Sequence, residues 1–76
     1  MAWQDRITSD PLIQGGHPVI KGTRVPVKII VGALAGGSSV EEVCEGWRIS
    51  REDVLAALGF AADAVDRERA NALPGR

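Results

Sequence analysis

The sequence predicts a mostly α domain: a short N-terminal β arm or hairpin, then three helices, the last two joined as a helix-turn-helix. Three observations predict it. After Pro26, apolar residues recur at helical spacing in three successive segments. Capping or glycine signals bound these segments. Before Pro26 the apolar runs are short, β-branched and punctuated by glycine and proline.

Residues 1–25 are expected to be non-helical. Arg6-Ile7-Thr8 reads as a short extended piece that stops at Asp10-Pro11. That pair opens a turn, because proline presets φ and aspartate bonds to the local backbone. Val19 to Val25 reads as two tiny strands about a Lys21-Gly22 turn, with Gly22 at positive φ. Pro18 and Pro26 limit how far this pairing extends.

The first helix starts at Pro26, where a missing N–H costs nothing. Val27, Ile30, Val31 and Leu34 form its apolar face, and Gly36-Gly37 end it. Ser39-x-x-Glu42 is a capping box for the second helix, and Ser38-x-x-Glu41 competes for the role. Val40, Val43, Cys44 and Trp47 share one face, which places Trp47 in the core and makes Cys44 a small buried hydrophobe. Gly46 is expected to end this helix. Ser50-x-x-Asp53 opens the third, with Val54, Leu58, Ala61 and Val65 in one stripe and Leu55 and Ala62 beside it. It is expected to run to about Ala72, before Pro74-Gly75. Its alanines favour helix and leave room for a neighbour to approach closely.

Seventy-six residues suit one domain, residues 1–76, with an arm over 1–25 and a helical region over 26–73. A chain of this size buries a marginal core. The longest apolar run, Ile29 to Ala35, is far short of the ~20 residues that cross a membrane. The N-terminus lacks the pattern of a signal peptide, so a cytoplasmic location is expected. With one His, one Cys and no Tyr, an internal disulfide is impossible and a zinc site would rest almost wholly on carboxylates. We therefore expect no cofactor and no catalysis, and read His17 and Gly15-Gly16 as turn residues.

Net charge is −1, yet Pro11 to Val40 holds Lys21, Arg24, Lys28 and His17 and no acid. Lys21, Arg24 and Lys28 have two readings: a track for a phosphate backbone or minor groove, or a solvated face, which composition alone favours. A helix-turn-helix places the start of its last helix at base edges. Here that is Ser50 and Arg51, then Glu52 and Leu55, with Arg51 able to fork onto a guanine and Arg48 able to hold a phosphate. Glu41, Glu42, Glu45, Glu52 and Asp53 oppose this, since they repel phosphate, and a bundle that merely packs fits equally well. Trp3 has no stripe of its own and is expected to be partly exposed, pointing to a partner or second subunit.

Ile7-Thr-Ser-Asp-Pro, Gly15-Gly-His-Pro-Val-Ile-Lys-Gly-Thr-Arg-Val-Pro-Val, Gly37-Ser-Ser-Val-Glu-Glu-Val and Ile49-Ser-Arg-Glu-Asp-Val-Leu-Ala-Ala-Leu together resemble the domain-of-unknown-function 433 family, over roughly residues 6–65. The resemblance implies a VapB-like antitoxin with a homeodomain-like helix-turn-helix. It would bind and block a PIN-like ribonuclease toxin and bind operator DNA to repress its own operon. Operator symmetry and the small core imply a homodimer. The tail lies outside the pattern, where antitoxins vary with their toxins. There Ala62, Val65, Arg69 and Leu73 share a helical face. Val65 and Leu73 are expected to enter a groove of the toxin and Arg69 to meet its acidic cluster. The alternative is a protein-interaction adaptor with this shape and no DNA binding.

Overall fold

The computed structural model describes residues 3–68; the expected helix end near Ala72, Arg69 and Leu73 lie outside them. The fold is mostly helical, three helices with a short two-stranded antiparallel ladder at the N-terminus. Strands β1 (Ile7–Thr8) and β2 (Val19–Ile20) pair Ile7 with Ile20 and Thr8 with Val19. Helices α1 (Val27–Ala35), α2 (Val40–Trp47) and α3 (Arg51–Glu68) follow.

The strand pairing differs from the expected Val19–Val25 hairpin. β2 takes its ladder partner from β1, and the returning Val25–Pro26 stretch adds only a single bridge, Val19 to Pro26. Pro26 has no N–H to extend a ladder, and the chain must turn helical there. The Lys21-Gly22 turn does form: Thr23 N–H donates to Ile20 O at 3.0 Å, and Gly22 has φ +82°. Positive φ at the third turn position defines a type II turn and favours glycine. The Asp10 turn also forms, with Leu12 N–H donating to the Asp10 carboxylate at 2.9 Å.

Pro26 sits just outside α1, in extended conformation, and its carbonyl accepts from Ile29 N–H at 3.1 Å. Val27 N–H, an orphan of the first turn, donates to Pro18 O at 2.9 Å. At the other end Gly37 has φ +106°; its N–H donates to Leu34 O and Ser38 N–H to Ala33 O, both at 3.0 Å. This is a Schellman end, which needs a left-handed residue where Gly37 stands.

Of the two competing caps for α2, Ser39 and Glu42 win. The Ser39 hydroxyl accepts from Glu42 N–H at 3.0 Å and the Glu42 carboxylate from Ser39 N–H at 2.7 Å. Gly46 does not end α2. The helix runs through it to Trp47, and Arg48 takes the left-handed conformation, φ 56° and ψ 50°. Ile49 N–H then donates to Cys44 O at 3.1 Å, the same Schellman bond as after α1. The physical reason is Ile49: ending the helix at Arg48 turns Ile49 into the core, where it is buried.

The core gathers Ile7, Ile20, Val27, Ile30, Val43, Ile49, Val54, Ala56 and Ala57. Ala57 and Val54 lead the buried side of α3, so the apolar stripe is turned from the expected one, and Leu55, Leu58 and Val65 are exposed. Trp47 is also corrected. It is 39% exposed at the last position of α2, whose buried residue is Val43.

Residues Trp3–Asp5 form a 3₁₀ turn that packs on α3. The Trp3 ring meets Phe60 edge-on at 4.8 Å between centroids, and its indole N–H donates to Asp63. Edge-to-face aromatic pairs are favoured by the ring quadrupole. Arg6 donates to Asp53 at 3.0 Å. Trp3 thus has a partner within its own chain. No helix among the described residues is long and apolar enough to cross a membrane.

Candidate functional site

Two surfaces stand out, one at the joint of α2 and α3 and one between α1 and α3. At the first, only Arg48, Ile49 and Ser50 separate the helices, a turn length that suits a helix-turn-helix. Ser50 and Asp53 cap α3 reciprocally. Asp53 N–H donates to the Ser50 hydroxyl, and Ser50 N–H to the Asp53 carboxylate, both at 3.1 Å. The Ser50 side chain is therefore engaged in capping. Asp53 also accepts from Arg6, so one of the acids that argued against phosphate is internally neutralised.

Arg48, after α2, and Ser50 and Arg51, at the start of α3, are exposed on either side of buried Ile49. Arg51 pairs with Glu41 of α2 at 3.8 Å, with both side chains well exposed. Such a pair is worth at most about 1 kcal/mol, so the guanidinium is easily released to a better partner. Beside it, Glu41, Glu42 and Glu45 share a shallow groove with Val40, Cys44 and Arg51. The α2 face is thus acidic as the sequence suggested. Arg48 makes no side-chain hydrogen bond or ion pair among the described residues, yet holds a left-handed backbone that costs an L residue about 1–2 kcal/mol. Lys21 and Arg24 are exposed around the turn after β2. Their backbones are fixed: Lys21 N–H donates to Arg6 O at 2.8 Å, and Arg24 O accepts from Gln14 Nε2 at 3.2 Å.

The second surface is an apolar groove of about 430 Å³. Val27, Lys28, Val31 and Gly32 of α1 form one wall, and Phe60, Ala61, Ala64 and Val65 of α3 the other. His17 and Pro18 complete the lining, and no carboxylate is among these residues. Lys28, expected to follow a phosphate backbone, lies on this groove. Val65, expected to enter a groove of a partner, is itself a groove wall and is 71% exposed. Its intended companions Arg69 and Leu73 lie outside the described residues.

Sequence reasoning missed Gly32 and Phe60. Gly32 sits in mid-helix, and a Cβ built there meets nothing within 4 Å. The fold does not require glycine at this position, although glycine costs about 1 kcal/mol relative to alanine inside a helix. The signal was present, a glycine inside the 3.6-residue pattern of α1, but only the structure shows that no neighbour demands it.

The family described as a protein of unknown function (DUF433) matches residues 7–61. An uncharacterized protein, y4eO, of Sinorhizobium fredii (strain NBRC 101917 / NGR234) is 40% identical over 76 residues, 99% of this chain. The chain spans 31% of that relative's length. No solved structure matches the chain.

Proposed function

Because the chain belongs to the DUF433 family, we propose that it is an antitoxin that binds operator DNA through α2 and α3 and neutralises a PIN-like ribonuclease. The observation that carries the DNA half is the joint itself. Arg48 and Arg51 stand exposed on either side of a capped helix start, one on a strained backbone and one held by a weak ion pair. Helix N-termini place backbone N–H groups and a positive dipole end toward phosphate. In this reading Arg51 forks onto a base edge, Arg48 holds a phosphate, and Lys21 and Arg24 add sequence-independent attraction. Ser50 contributes through the helix start it caps. The nuclease half rests on the family resemblance alone. Location in the cytoplasm and the absence of catalysis are part of the same proposal.

The acidic groove of Glu41, Glu42 and Glu45 favours a second reading, an adaptor that binds protein and not DNA. The test is electrophoretic mobility of the DNA upstream of the chain's own gene at two salt concentrations. Arg51→Ala should relax sequence preference by about 1–3 kcal/mol at one base, whereas Lys21→Ala should weaken all sequences alike and lower the salt slope. No retardation at low salt removes the operator reading and leaves the adaptor. Inhibition of the purified neighbouring nuclease is assayed separately.

A further inference from the structure

The geometry points to a second copy of this chain as the occupant of the α1–α3 groove, the two copies crossing α3 on α3 about a two-fold axis. Three observations on the monomer support this. Leu55, Leu58, Ala62 and Val65 fall at spacings of three, four and three residues along α3 and are all exposed. That spacing makes an apolar ridge of the kind one helix sets against another. The ridge adjoins the groove through Val65, which belongs to both. Each copy therefore offers a ridge and a slot, the self-complementary arrangement that a two-fold interface requires. Gly32 lies open on the slot's wall, and a glycine there lets a second helix come close.

Charge agrees. The slot carries Lys28 and no carboxylate, while Asp66, an exposed acid, stands one turn beyond Ala62 of the ridge. Under two-fold symmetry the Lys28–Asp66 attraction occurs twice. The small core agrees as well, since a chain of this size commonly gains stability by association.

The spacing links this dimer to DNA, and this link alone rests on the operator reading above. The α3 residues of the slot run from Phe60 to Val65, so their midpoint lies between Ala62 and Asp63. Arg51 is eleven to twelve residues away, about 17 Å at 1.5 Å per residue. Antiparallel crossing at that midpoint sets the two Arg51 positions about 35 Å apart, close to the ~34–36 Å between half-sites one helical turn apart.

Sedimentation of the full chain tests the association, and a spin-label distance tests its geometry, both without DNA. The expected mass is twice 8.1 kDa. Val65→Lys and Gly32→Leu, which alter an exposed side chain and an open position, should each weaken the dimer at least tenfold while circular dichroism stays helical. Lys28→Glu should also weaken it, and Lys28→Glu with Asp66→Lys should restore it. Labels on Arg51→Cys in a Cys44→Ser background should lie about 35 Å apart. A chain that stays at 8.1 kDa at millimolar concentration overturns the proposal and gives the groove to another protein. A dimer indifferent to Val65→Lys, an unrescued charge reversal, or a markedly different distance overturns it too. A dimer that passes these tests and retards no operator loses only the DNA reading.

Discussion

Replacing Arg48 with glycine should move stability and DNA binding in opposite directions. Arg48 holds φ 56° and ψ 50° after α2, the position that Gly37 occupies after α1. Relief of the left-handed backbone is worth about 1–2 kcal/mol. Glycine also enlarges the entropy of the unfolded chain, which subtracts about 0.4–1 kcal/mol. The net stabilisation is about 0.5–1 kcal/mol, a rise in Tm of roughly 3–6 °C for a domain of this size. The Schellman bond from Ile49 N–H to Cys44 O should survive, because glycine adopts the same conformation. Loss of one phosphate contact should lower the salt slope of DNA binding by about 0.9. Thermal unfolding followed by circular dichroism, and mobility shifts at several salt concentrations, read the two effects. A fall in Tm in Arg48→Gly would refute the strain reasoning. A rise in Tm with unaltered salt slope would remove Arg48 from the DNA surface.

Gly22→Val should destabilise the fold by about 1–3 kcal/mol, since a β-branched residue is forced to φ near +82° in the turn that closes β2; an unchanged melting curve counts against it. Trp3→Ala should cost about 2 kcal/mol, less than the 3–5 typical of fully buried rings, because Trp3 is only half-buried against Phe60. Its removal should also deprotect amides of β1 in hydrogen exchange. A chain ended after Asp63 should stay folded, since the core residues and the acceptor for Trp3 all precede the cut, but should no longer inhibit the nuclease. Full inhibition by that shortened chain would move the nuclease surface to another part of the fold.

The helices were legible because each carries its own boundary chemistry. Ser39 with Glu42 and Ser50 with Asp53 are reciprocal caps within four residues of sequence, so nothing distant is needed to find them. The end of α2 was misplaced because the visible glycine is Gly46, while the left-handed residue is an arginine chosen by the burial of Ile49. Trp3 was illegible for a different reason. Its partners Phe60 and Asp63 are nearly the whole chain away, and no local period announces a contact of that length. At the joint, the residues Arg48, Ser50 and Arg51 could be named from spacing alone. The α1–α3 groove could not, because it is an absence of side chains at Gly32, Ala61 and Ala64, which becomes a shape only once the helices are placed.

Phe60 has two clients. Its ring stands perpendicular to that of Trp3 and also walls the α1–α3 groove. Docking of the N-terminal residues and filling of the groove therefore act on one shared rotamer. Thermodynamic reciprocity follows: an occupant that favours the Trp3-docked setting of Phe60 tightens the attachment of residues 3–5, and that attachment improves the occupant's affinity by the same factor. Residues 3–5, held to α3 by the Trp3 ring and indole while Ile7 anchors β1 in the core, are the low-cost opening of the fold. The docking equilibrium of that segment and the affinity of whatever fills the groove should rise and fall together.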